Sequence, residues 1–407
     1  MAQADITGQR RVSRSEFIAI MALLFATVAF SIDAMLPALP EIGRELAPAN
    51  LNHAQFVVLV FVAAMGIGTL VVGPLSDSLG RKPVILGGAG LFVVGAMIAG
   101  TGQSLELVLF GRALQGLGAA APRVVALAVI RDLYAGRDMA RIVSFVMMIF
   151  TLLPAIAPLL GAGIIALAGW RAIFLAFLLF SVISVGWYAL RLPETLPPAR
   201  RRPLKPASLR AAAREVFADP VARRAVLVQT LIFSVLFMLL TSIQQIFDIH
   251  FGRGDSFPLW FALIAVIAGS ASFTNAMLVG RLGMRFLVRV TLSAQLALSV
   301  AMAALFWSGL LPPGAEFAAF MLWAITLFGM LGLTIGNLNA LAMEPLGHVA
   351  GMAASIIGAL ATVMSALLAV PVGQAFDGTP RPLATGVLLA VAAAFLLIRK
   401  FPERPET

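Results

Sequence analysis

Apolar residues in this chain neither alternate with polar ones at a strand's period nor mark a single stripe of a soluble helix. They run on for roughly 20 residues at a time, the length a helix needs to cross the hydrocarbon of a bilayer. Twelve such runs are read, at 17–39, 54–74, 84–102, 105–130, 142–168, 172–190, 225–247, 257–280, 286–311, 317–343, 349–376 and 382–398. Each is predicted to be a helix, because in hydrocarbon every backbone N–H must be satisfied within its own segment or in a closed barrel. The runs are too long and too evenly apolar for barrel strands. The pattern predicts an all-α membrane protein with twelve transmembrane helices.

Composition agrees. The 407 residues are 60% hydrophobic and 12% charged, whereas soluble domains run at about 45–50% and about 25%. A mean hydropathy of +0.98 and 36 glycines fit helices packed closely in lipid. Cysteine is absent, which excludes disulfides, thiolate catalysis and Cys-ligated metals. His53, His250 and His348 are too scattered for a metal site, so no metal and no cofactor is expected. None of Lys82, Lys205 and Lys400 follows a glycine. No phosphate-binding G-x-x-x-x-G-K-[ST] loop is possible, which excludes a pump carrying its own ATP motor. Nothing predicts an enzyme.

The net charge of +10 would suit nucleic acid if it formed a surface, but it falls on alternate loops. With a cytoplasmic N-terminus, 23 basic residues lie in inside segments and four, Arg44, Arg171, Arg253 and Arg381, in outside loops. The positive-inside rule then places both termini in the cytoplasm, and the partner is the lipid bilayer rather than nucleic acid. Arg10–Arg14 followed by an apolar core could pass for a signal peptide. That core runs on into "SIDAMLPALP" without an A-x-A site, so a retained first helix is expected.

The longest loop, "RLPETLPPARRRPLKPASLRAAAREVFADP", is rich in Pro and Arg and divides the chain near its middle. It predicts a bundle at 1–190, a cytoplasmic linker at 191–224 with a short amphipathic helix around 209–217, and a second bundle at 225–407. "LGRK" at 79–82 is echoed by "LGMR" at 282–285, each after the second helix of its half. Such duplication is typical of transporters.

The loop "GPLSDSLGRKP" at 73–83 puts Asp77, Arg81 and Lys82 between two spans. Pro74 is expected to end the second helix, Gly80 to make the turn, and Pro83 to sit in the first turn of the third. Asp77 and Arg81, four apart, can pair. A charged turn that merely enforced topology would need neither Asp77 nor two glycines. The loop fits the signature G-x-L-S/A-D-x-x-G-R-K/R-P, and with twelve spans and a basic central loop the sequence resembles the major facilitator superfamily. "SIDAMLPALPEI", "RALQGLGAAAPRVVALAVIRDLY", "PAIAPLLGAG" and "AMEPLGHVAGMAASIIGAL" make it similar to the twelve-helix drug:proton antiporters of the bicyclomycin/chloramphenicol resistance (Bcr/CflA) group.

That resemblance implies two six-helix bundles in a bacterial inner membrane. It implies a monomeric, proton-coupled secondary transporter that exports small amphipathic drugs by alternating-access antiport. Its partners would be protons and a small-molecule substrate. Uptake or facilitated transport of a small polar or anionic metabolite on the same fold stays open, as does a non-transporting receptor or assembly subunit, which the lack of a sizeable soluble domain weakens. The resemblance also implies a cytoplasmic gate, a latch between the bundles, made by Gly73, Asp77, Gly80, Arg81 and Lys82 with Arg131 and Asp132 at the exit of the fourth span.

Few ionisable groups fall within the apolar runs: Asp33, Glu106, Arg112, Arg123 and Asp248, with Glu344 at a helix end. Each is a functional candidate because such groups are costly in lipid. Asp33 is the candidate proton carrier, since a carboxyl held out of water can exist in two protonation forms that favour different access states. Alternatively it caps the turn before Pro37 and is wet. Arg112 keeps its charge and must face a cavity or a partner. Its expected role, with Gln115, Gly116 and Gly118 beside it, is to tune nearby carboxyls, Asp33 included; the competing reading is snorkelling to the outer surface.

Arg123, eleven residues on, returns to nearly the same helix face and departs from the pattern of the resembled group. Two arginines on one face would favour anionic or strongly polar cargo, unless Arg123 pairs with a carboxylate. Gln115, Arg123, Met147, Asn275, Asn337 and Asn339 are the substrate-cavity candidates. For the amides, ties between helices are the competing reading, and Met147, Met148 and Phe150 with Phe237 and Met238 could form an adaptable pocket. Pro154, Pro158, Gly161 and Gly163 in "PAIAPLLGAG" resemble an antiporter helix motif with its first glycines replaced, where small residues allow tight packing.

Overall fold

A computed structural model describes residues 12–201 and 206–399. Arg10, Arg11, Arg202, Lys205, Lys400, Arg404 and both chain ends lie outside the described residues. The helices in chain order are α1 Arg14–Asp33, α2 Leu39–Leu46, α3 Phe56–Leu79, α4 Arg81–Thr101, α5 Leu105–Leu133, α6 Gly136–Ala168 and α7 Ala172–Arg191. They continue as α8 Pro206–Ala218, α9 Pro220–Gln245, α10 Phe257–Leu282, α11 Met284–Ser308, α12 Pro313–Met343, α13 Ala350–Gln374 and α14 Arg381–Arg399. Counting α1 with α2 as one span, twelve helical segments among the described residues are long and apolar enough to cross a membrane. This is a multi-pass membrane protein of two six-helix bundles, and α8 is the linker helix.

Local chemistry sets the ends. Ser104 accepts from the N–H of Leu107 at the start of α5, and Asp219 accepts from those of Val221 and Ala222 ahead of Pro220 in α9. Each is an N-cap that satisfies donors with no partner inside the helix.

Two expectations about ends need correcting. Pro74 does not end the second span: α3 runs through it to Leu79. The hydroxyl of Ser76 bonds the carbonyl of Gly73, and the stop comes at Gly80, whose φ of 106° is open to glycine. The first span does not finish near residue 39. It breaks after Asp33 and continues through α2 to Leu46. Pro37 and Pro40, which lack N–H groups to continue the ladder of α1, fall in this break and its resumption.

Within the first half α1 packs on α5, α6 and α7, and α4 on α5 and α7; within the second, α9 packs on α12, α13 and α14, and α11 on α12 and α14. The halves meet along two seams, α3 on α13 and α6 on α10. Gly66 and Gly73 allow the first close approach: a Cβ on Gly66 would meet Val363 at 2.7 Å, and one on Gly73 would meet Ser355 Oγ at 3.1 Å. The repeated LGRK/LGMR turn is the same backbone device twice, with Gly283 at φ 80° ending α10 as Gly80 ends α3. One end of the bundle carries Arg14, Arg81, Arg141, Arg191, Arg285, Arg399 and α8, and is called the basic end. The other carries α2 and the short turn Leu51–Gln55, and is called the distal end.

Candidate functional site

Three clusters occupy the first half and its seams. The innermost surrounds Arg112, which α5 carries two turns from its N-terminus and which is 0% exposed. Its Nε donates to the carbonyl of Val57 (2.9 Å), Nη2 to that of Ser31 (3.0 Å) and Nη1 to Gln115 Oε1 (3.1 Å). The guanidinium lies 4.3 Å from the ring centre of Phe61, in cation–π range. α1, α3 and α5 are tied at one point. The Ser31 carbonyl is available because α1 is ending: Ala34 N–H turns to Phe30 and Met35 N–H to Ile32. A helix C-terminus has carbonyls to spare and attracts cations.

This arrangement excludes snorkelling and corrects the expected partnership. Neither Asp33 nor another carboxylate bonds Arg112 among the described residues. Gln115, expected to line a substrate cavity, is instead fully buried as an Arg112 ligand. Gly116 and Gly118 give the close approaches expected of them, against the backbones of α3 and α4.

Asp33 is the last residue of α1 and only 6% exposed. Among the described residues its carboxyl makes no hydrogen bond or ion pair. An ionised carboxylate so placed lacks the donors that would support it, so its two forms demand different surroundings. A group that links a proton to a conformational change has this property. The break beside it is packed from α6: Gly161 lies against the backbone of Ala34, where a Cβ would collide. Pro154 and Pro158 lie on the same helix, and Pro158 is buried. Gly163 is exposed, with open space where a Cβ would stand, so it packs against nothing.

The second cluster is the turn at the basic end. Arg81 donates from Nη1 to Asp77 (2.5 Å) and Ser76 (2.9 Å), and from Nε to Asp132 (2.9 Å). Glu194 closes the set, accepting from the backbone N–H groups of Arg81 (2.8 Å) and Lys82 (3.0 Å) at the start of α4. Lys82 Nζ donates to the carbonyls of Ala189 and Leu192 at the end of α7. The partners come from the first half and, through Leu192 and Glu194, from the start of the linker, so in this structure the cluster does not bridge the two bundles. Asp132 and Glu194 supply acceptors at hand, while the equivalent turn of the second half offers the like-charged Arg281 and Arg285. Arg285 itself pairs with Glu344 at 3.7 Å. Arg131 is exposed and takes no part.

The third cluster joins the halves at the distal end. Gln55 Nε2 donates to Gln245 Oε1 (2.6 Å), and Asn52 Nδ2 to the carbonyls of Gln374 (3.2 Å) and Phe376 (2.9 Å). Gln374 Nε2 donates back to the Asn52 carbonyl (2.9 Å). Gly373 makes room, since a Cβ there would strike Gln55 Oε1. Among the described residues, the hydrogen bonds between halves gather at this end.

The remaining cavity candidates do not converge. Asn337 is buried and donates to Asn275 Oδ1 (2.7 Å), tying α12 to α10. Asn339 is exposed and accepts from Gln229 of α9 (3.1 Å). Two residues apart on a helix point to nearly opposite sides, so these amides are ties between helices. Met147 and Met148 line a cavity of about 460 Å³ between α6 and α10, with Val266 and Phe273 across it. Phe237 and Met238 are buried elsewhere, in α9. Sequence reasoning missed Glu194, Asn52, Gln55 and Gln374; an acid just ahead of the arginine run in the basic linker was the signal for Glu194.

Comparison with known proteins agrees with this architecture. Multidrug resistance protein MdtL of Escherichia fergusonii is 30% identical over 382 residues, 92% of this chain and 93% of that one. The bicyclomycin resistance protein homolog of Haemophilus influenzae is 27% identical over 399 residues, covering 95% and 98%. A chloramphenicol resistance protein of Pseudomonas aeruginosa is 36% identical over 187 residues, covering 46% and 44%. The xylose transporter XylE from E. coli, in a partially occluded inward open conformation, superposes with a TM-score of 0.74 over 97% of this chain and 99% of that one at 13% identity, a likeness of fold. The family model described as Major Facilitator Superfamily matches residues 21–370. The chain belongs to the Major Facilitator Superfamily, whose members are membrane transporters of small molecules rather than enzymes.

Proposed function

We propose that this protein exports small amphipathic drugs across a bacterial inner membrane in exchange for protons, as a monomer with its basic end in the cytoplasm. The observation that carries the reading is Asp33: a carboxyl buried at a break in α1 that is packed by Gly161 of α6 through Ala34, and without a partner among the described residues. The names of the relatives, which refer to bicyclomycin, chloramphenicol and multidrug resistance, supply the substrate class.

In this reading the halves 1–190 and 225–407 rock about the two seams, with 191–224 as the connecting linker. The distal amide bonds hold the outward side closed while the cytoplasmic side receives cargo. Protonation of Asp33 removes its charge and lets α1 repack against α6. Loss of the proton after rocking restores the other packing. Arg112 holds the α1 break in place, and the Arg81–Asp132–Glu194 cluster keeps the basic ends of α3, α4, α5 and α7 moving as one body.

Asp33→Asn tests this. In proteoliposomes with an imposed pH gradient, chloramphenicol movement is expected to fall at least about tenfold, while exchange of labelled for unlabelled drug without a gradient persists. Asparagine keeps the size and imitates the protonated form, so insertion should be unchanged. Gradient-driven movement at the wild-type rate would remove Asp33 from the mechanism.

A further inference from the structure

Arg112 and Arg123 share one face of α5, about 16 Å apart along its axis. The face turns inward: Arg112, Gln115, Ala119 and Ala126 on it are fully buried. Arg123 alone is half-buried, so part of its side chain on this inward face is left uncovered by protein. The two guanidiniums differ in what they touch. Arg112 spends its donors on two carbonyls and an amide. Arg123 has a single weak contact, Nη1 to the sulfur of Met65 at 3.9 Å, and no carboxylate or carbonyl takes its other donors among the described residues. Asp33 lies near Ser31, at the level of Arg112, and is not its counter-ion.

Met65 itself is 3% exposed and precedes Gly66, where α3 meets α13. Arg123 therefore lies beside the seam between the halves, where cargo has to be held if rocking is to carry it. An arginine cannot shed its charge, and an unpaired cation within the membrane calls for an anion. Its planar fork matches a carboxylate at two points, and the adjacent thioether suits an apolar body.

We infer that Arg123 is the cargo-binding cation and selects amphipathic carboxylates. This rests on the export reading for its direction but not for its binding, and the test separates the two. Protein in nanodiscs is titrated with fusidate (an amphipathic carboxylate), fusidate methyl ester, chloramphenicol (neutral) and ethidium (cationic). Wild type is expected to bind fusidate at least about tenfold more tightly than its methyl ester. Arg123→Gln should abolish that preference, and Arg123→Lys should retain most of it.

Equal binding of acid and ester by wild type overturns the inference, as does unchanged fusidate affinity in Arg123→Gln. The ester comparison needs no variant, so it decides even if Arg123→Gln fails to fold. Proteoliposomes under a pH gradient form the second arm: if none of the probes moves, the export reading fails while the binding result stands.

Discussion

Gly373→Leu is expected to hold the distal end open and to lower transport at least about tenfold, with little effect on insertion. The position lies in the last turn of α13, where a side chain costs the backbone nothing, but the space of its Cβ is taken by Gln55 Oε1. Gln55 would have to leave, breaking its 2.6 Å bond to Gln245 across the halves. Alanine could be met by a shift of one flexible amide; leucine reaches further and keeps the two surfaces apart. Because the chain has no cysteine, a thiol introduced at the buried Ala54 reports directly. Labelling by a membrane-impermeant maleimide applied from the distal side should rise at least about fivefold in Gly373→Leu, and less in Gln245→Ala, which removes the bond without adding bulk. Unchanged labelling would mean that these amides do not close that end.

Arg112→Leu carries the second large effect, on folding as well as transport. Leucine leaves the Ser31 carbonyl and the Gln115 amide without a donor in a site closed to water. Each such orphan costs about 1–3 kcal/mol, and the cation–π contact with Phe61 adds up to about 2. Thermal unfolding in detergent should drop by several degrees, and transport should vanish. Arg112→Lys is expected to rescue poorly, because one ammonium cannot reproduce a fork that reaches α1, α3 and α5 together. A lysine variant with wild-type stability and rate would show that only the charge matters, and would argue against the three-helix tie.

Much of the fold was legible because its signal is local. Each span announces itself by the length of its apolar run, and the glycine turns at 80 and 283 are written twice in nearly the same letters. Ends were less legible. Pro74 looks like a stop, yet a helix packed among others in the membrane tolerates it, and α3 runs on to Leu79.

The site was harder to read, for two physical reasons. Two of Arg112's three acceptors are backbone carbonyls, which every residue possesses, so no letter marks them. The distal bonds join residues as far apart as Asn52 and Phe376, 324 positions along the chain, and a lone amide carries no sign of its partner. The same blindness grouped Asn337 with Asn339, although their separation of two already placed them on different sides of α12.

The fastening at the distal end has a consequence for how the molecule senses its surroundings. Its bonds run between neutral amides and main-chain oxygens, and His53, the titratable neighbour on that turn, bonds to Asn50 instead. None of these bonds is itself a charge pair that ionic strength or acidity in the medium bathing that face could weaken directly. In the proposed cycle, release of this end is therefore commanded from within the bundle, which makes the distal closure a follower of events at the core.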